Sequence, residues 1–159
     1  MNKNLFIFFI IFISYSAALT AQEAPGFDNV VNFNISLKDL DALVKNNKLK
    51  SIGDKYIILD GAVSEYMVTD KDEDSYTVEI VLVNGEWAGI SDVYIYRSII
   101  VFKGPEFKDK FPERRRSTPG PEEIPVNSGL IVVAKFSEVR NEGGMVIPVL
   151  DGKYLRVYK

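Results

Sequence analysis

Tyr76, Val78, Ile80 and Leu82 fall on every second position, with Thr77 and Glu79 between them. A two-residue apolar period places one face of an extended chain against a core and leaves the other toward water, so this stretch reads as a strand in a sheet. Its neighbours read the same way. Tyr56 to Leu59 and Ala62 to Val68 are strand-like, interrupted by Asp60-Gly61, where a glycine in a strand pattern marks a bulge or bend. Asn84-Gly85 is a hairpin signal, because both residues tolerate the positive φ of a type I′ turn. The chain resumes at Glu86-Trp87-Ala88 and, after Gly89, runs through β-branched and aromatic residues from Val93 to Phe102. Gly129 to Val139 and Met145 to Val149 read as two further strands around a turn at 141–144, and Tyr154 to Tyr158 as a last short one. No internal repeat is present.

Two segments break the strand pattern. Ser36 caps a helical stretch in which Leu37, Leu40, Leu43 and Val44 form one apolar stripe, which predicts a helix over 37–46. Asp39, three residues after Ser36, gives a weaker form of the capping box, and Lys45, Lys48 and Lys50 suit the negative end of the helix dipole. Between 104 and 128 lie five of the seven prolines: Pro105, Pro112, Pro119, Pro121 and Pro125. Proline cannot donate to a ladder, so this stretch predicts a long loop with at most a helical turn near 106–115.

The N-terminus reads as an export signal. Leu5 to Ile13 is a run of nine apolar residues, about 14 Å as a helix, which is too short for a bilayer core of about 30 Å. Small residues follow as far as Ala21, so residues 1–21 are expected to be a signal peptide cleaved before Gln22. The remainder divides into a lead-in over 22–35 and one domain over 36–159. With no cysteine anywhere, that domain must hold through its core alone, and a lipid anchor through cysteine is closed to it. A bacterial periplasmic or secreted protein follows, with no transmembrane span after cleavage. In a eukaryotic host Asn34, in Asn-Ile-Ser, would be a glycosylation acceptor. Loss of Lys3 leaves 18 basic against 22 acidic residues, a net charge of −4. Binding to nucleic acid through counterion release draws on a positive surface, so no nucleic-acid partner is expected.

One helix, about three strands, a long connection and two or three closing strands predict an all-β domain with one short N-terminal helix, a small five- to six-stranded Greek-key barrel. The segments DLDALVKNNKLKSIGDKYIILDGAVSEY, YTVEIVLV, SDVYIYRSIIVF and NSGLIVVAKFSEV resemble the bacterial OB-fold proteins of the tRNA-anticodon-domain-like group over Leu37 to Tyr158. That resemblance implies a small-residue bend in the first barrel strand and a glycine-led fourth strand followed by a return hairpin. The Pro-rich stretch departs from the group's short connection, and no catalytic motif defines the group.

The missing residue types close most chemistries. Without His or Cys there is no imidazole or thiolate for zinc and no Ser-His or Cys-His nucleophile pair, so neither an enzyme, a cofactor nor a metal site is expected. Asp70, Asp72 and Asp74 imitate the start of an EF-hand loop, but Ser75 stands where glycine is needed and Val81 where a bidentate Glu is needed. A solvated hairpin tip is the simpler reading, with a weak surface cation site as its alternative. For ligand binding, Arg114, Arg115 and Arg116 are the one dense basic cluster, and Trp87, Tyr94 and Tyr96 are rings that either stack on a ligand or fill the core. OB-folds bind on the face of their second and third strands, which implies a ligand across Trp87 to Tyr96, near the 70–74 and 141–144 turns. The functional expectation is an exported envelope module binding an unknown ligand or protein. The alternative is a small structural or inhibitor-like protein that presents its Pro-rich loop to a partner.

Overall fold

The computed structural model describes residues 26–114 and 118–158. The expected signal peptide and its cleavage site lie outside the described residues. Two short elements lead in, α1 (Phe27–Val30) and β1 (Val31–Asn32), followed by the helix α2 (Leu37–Lys45). Five long strands follow: β2 (Tyr56–Asp70), β3 (Thr77–Trp87), β4 (Val93–Lys103), β5 (Gly129–Glu142) and β6 (Met145–Tyr158).

Helix α2 starts where its cap dictates. The Ser36 N–H donates to Asp39 Oδ2 at 2.9 Å, and the Asp39 N–H donates to Ser36 Oγ at 3.2 Å, so the capping box closes in both directions. Leu37 and Leu40 are buried and Leu43 packs against the same core, which turns the apolar stripe onto the barrel end.

Strand β2 runs unbroken through Asp60-Gly61 and closes the barrel. Tyr56 to Ala62 pair with β5, and Ala62 to Asp70 pair with β3. The bend is Gly61: a Cβ there would lie 2.6 Å from the carbonyl oxygen of Val83, closer than any side chain fits. Strand β3 also outruns its expected end. Asn84 faces Tyr96, Gly85 faces Ile95, and the ladder continues to Trp87 opposite Val93. The chain turns later, where the Ala88 N–H donates to the Asp92 carbonyl at 2.8 Å and Gly89 takes φ +98°. A turn at 84–85 would forfeit the pairs Glu86 with Tyr94 and Trp87 with Val93, so tertiary pairing overrides the local signal. The last two expected strands are likewise one, β6, which hairpins with β5 across Gly143 and Gly144, both at positive φ.

The sheet order is β1-β2-β3-β4-β6-β5, and the β2–β5 pairing joins its ends into a five-stranded closed ring. Three antiparallel strands in meander, a parallel β4–β6 pair and a returning hairpin make this barrel an OB-fold. Ile57, Leu59, Val63, Ile80, Leu82, Ile100, Leu130, Val132 and Leu150 fill its interior.

The Pro-rich segment is a long loop that packs into the barrel as a stopper. After a 3-10 turn at Pro105–Phe107, Phe107, Phe111 and Ile124 are buried in the barrel core. The Phe107 ring packs 4.7 Å from Phe102, and Phe111 meets Tyr66 edge-on at 5.3 Å. The Tyr76 hydroxyl donates to the Phe111 carbonyl at 2.7 Å, and the Ile124 N–H donates to the Lys110 carbonyl at 2.8 Å. Proline bars this stretch from a ladder but not from burying three large side chains.

Candidate functional site

Pleating decides which side chains share a face. On β3 and β4 the pairs Val78–Phe102, Ile80–Ile100 and Leu82–Ser98 point into the barrel. The alternate pairs therefore point outward: Val83 with Arg97, Gly85 with Ile95, and Trp87 with Val93. Trp87 is 72% exposed on this outer face. Tyr94 and Tyr96 lie on the opposite side of the ribbon, so the three rings named from the sequence do not form one platform. Tyr96 packs on the core edge and its hydroxyl donates to Glu86 Oε2 at 3.1 Å. Lys38 holds the same carboxylate oxygen at 2.6 Å, which keeps the Glu86 carboxyl below its usual range. Tyr94 is exposed on the side facing α2.

The outer face deepens into a groove because β4 and β6 diverge. They pair only from Ile99 with Val149 to Val101 with Asp151. Before that point they separate, and a groove of about 530 Å³ opens between Ile95 and Arg97 of β4 and Met145, Val146 and Ile147 of β6, with Val44 and Lys45 of α2 as its third wall. Lys45 is tied to Asp41 at 2.6 Å. Arg97, half-buried, makes no ion pair with any described residue. A second, small apolar core of Ile99, Ile147 and Val149 closes the narrow end. Across it Arg140 grips Glu79 with two hydrogen bonds of 2.7 and 2.9 Å, fixing the β5–β6 hairpin over β3. That bond holds the Glu79 carboxyl below its usual range despite partial burial, and raises the Arg140 guanidinium in turn.

The remaining sequence candidates sit elsewhere. Arg114 is exposed on the Pro-rich stopper, at the Thr77 end of β3 and away from the Trp87 end; Arg115 and Arg116 lie outside the described residues. The 70–74 turn is also at the Thr77 end, so only the 143–144 turn borders the groove. Asp70 accepts from the Asp72 N–H at 3.0 Å and the Ser75 hydroxyl at 2.7 Å, and Lys108 and Lys71 pair with Glu73 and Glu113. These contacts shape a hairpin tip laced to the stopper. The groove residues Ile95, Arg97, Met145 and Val146 were not singled out in the sequence. One signal was there: Arg97 is the only charge between Val93 and Phe102.

No family model matches the chain, and no curated protein matches it. Solved structures do. A Plasmodium falciparum SSB in complex with ssDNA is 13% identical with a TM-score of 0.43, covering 65% of this chain and 94% of that one. A small single-stranded DNA-binding protein from Streptomyces coelicolor is 12% identical with a TM-score of 0.40, covering 67% of this chain and 95% of that one. Both are single-stranded DNA-binding proteins. Against these neighbours the expectations of an envelope binding module, of a loop-presenting inhibitor and of a chain without a nucleic-acid partner are not sustained, while the expected export is a separate reading that they do not bear on. Net charge averages the whole surface, whereas a ligand meets only the groups lining its site; here that lining includes Arg97, which has no ion pair with any described residue.

Proposed function

We propose that this protein binds single-stranded nucleic acid on the outer face of β3 and β4, without catalysis. The observation that carries the reading is Trp87, which stands 72% exposed in one row with Val93, Ile95 and Arg97, a guanidinium with no ion pair to any described residue. OB barrels take oligonucleotides or oligosaccharides on this face, and that guanidinium favours the anionic class. A base stacks on an indole without regard to its identity, so sequence-tolerant binding follows. Within the OB-fold, the same proposal sets the chain beside the tRNA-anticodon-domain-like proteins its segments resemble.

The test is affinity for a labelled single-stranded oligonucleotide at low salt, read by fluorescence anisotropy. Trp87→Ala should weaken binding by about 10- to 100-fold, the usual worth of a stacked base, while melting near wild type because its ring is exposed. Equal affinity in wild type and Trp87→Ala, or preference for a neutral oligosaccharide, would contradict the reading.

A further inference from the structure

We infer that the groove seats the phosphorylated end of a strand, not its middle; this rests on the nucleic-acid reading above. At one end the groove opens where β4 and β6 part. At the other, β4 and β6 join at Ile99 and Val149, and the small core of Ile99, Ile147 and Val149 fills the space beyond. The Arg140–Glu79 pair ties the hairpin to β3 beyond that core, so the groove narrows away from the Trp87 side. The volume, about 530 Å³, falls in the range of small-ligand clefts.

Charge points the same way. Arg97 and Lys45 against Asp41 leave one net positive charge in the groove, and Lys45 is already held by Asp41. A running strand brings one phosphate per nucleotide into such a space and finds partners for one. A strand end brings one terminal phosphate, which Arg97 can hold through paired N–H donors. The order along β4 fits: Arg97 lies toward the narrow end, Ile95 next, and Val93 beside Trp87 at the mouth. A terminal phosphate at Arg97 places the following bases over Ile95 and Trp87, with the rest of the strand leaving past the 88–92 turn.

The experiment compares unlabelled oligonucleotides of one length as competitors of a labelled strand: a 5′-phosphorylated linear form, a 3′-phosphorylated form, a form with hydroxyl ends, and a covalently closed circle. One phosphorylated linear form should compete about 10-fold better than the hydroxyl-ended strand and the circle, as a charge-assisted contact gives. Arg97→Gln should abolish that preference. Log affinity should fall with log salt with a slope near −0.7, that of about one released counterion. Should Arg97→Gln melt early, the contrast among wild-type ligands stands alone. A circle that competes as well as the phosphorylated strand would overturn end-binding and leave single-strand binding intact. If no oligonucleotide binds at low salt, both readings fall.

Discussion

At the residue scale, two glycines and one serine show how tightly the barrel is specified. Gly61 touches the Val83 carbonyl oxygen where a Cβ would lie at 2.6 Å, and at Gly152 a Cβ would lie 2.4 Å from the Phe102 ring. Backbone cannot yield as a flexible side chain can, so Gly61→Ala should cost about 1–3 kcal/mol, as overpacking does, read as a lower denaturant midpoint at an unchanged slope. Ser98 is the opposite case. Its side chain is fully buried and its hydroxyl has no hydrogen-bond partner among the described residues, a desolvation penalty with no return. Ser98→Ala should leave the fold as stable or raise its stability by about 1 kcal/mol, and a drop in melting temperature would show that a partner for the hydroxyl exists. Tyr96 differs from Trp87 in kind: its ring packs on the core, so Tyr96→Ala should destabilise where Trp87→Ala does not. Alternation named both rings in the sequence, but only the register, Trp87 opposite Val93 and Tyr96 opposite Asn84, reveals that they face opposite ways.

Elements were legible where local physics and tertiary structure agree. Helix α2 ends within one residue of its predicted boundary because Ser36 and Asp39 cap it and a three-leucine stripe needs a core. Strands β3 and β4 are both legible as strands, and β4 to within a residue, but the end of β3 is not, since Asn84-Gly85 offers a good turn that the longer ladder outcompetes. The Pro-rich segment was read by what proline forbids, and its three buried side chains, at irregular spacing, carry no periodic signal. Phe111→Ala should therefore cost about 3–5 kcal/mol, whereas a dispensable loop would lose almost nothing. The β5–β6 hairpin brings a pH dependence of its own. The bond to Arg140 holds the Glu79 carboxyl below its ordinary value of 4.5, so the pair stabilises the fold above that pH and the contribution is lost as pH falls through the lowered value. Glu79→Gln should melt below wild type at pH 7 by about 1 kcal/mol or more, and the gap should shrink as pH falls below the ordinary carboxylate value and through the lowered one. A gap independent of pH would mean that the carboxylate charge is not what holds the hairpin.

For the whole molecule, the barrel sets the site by where its ring is weakest. Five strands close through β2, but β4 and β6 share only three paired positions, and the outer row from Trp87 to Arg97 borders the gap they leave. That gap cannot be found from one strand's pattern, because it depends on two segments fifty residues apart that start apart and then pair in parallel. The class of fold was legible, since strand count, the long connection and the closing hairpin together admit few topologies. The proposed ligand is not legible there, because whole-chain charge averages away Arg97, which has no ion pair with any described residue. The central claim is therefore a claim about place, and backbone amide shifts in a ¹⁵N spectrum during titration with a short single-stranded oligonucleotide test it most directly. The account predicts saturable shifts grouped at 83–97 and 143–147, with the Trp87 indole N–H among the largest. Shifts grouped instead on the 70–74 turn and the 104–128 stopper, with the Trp87 signal unmoved, would contradict it.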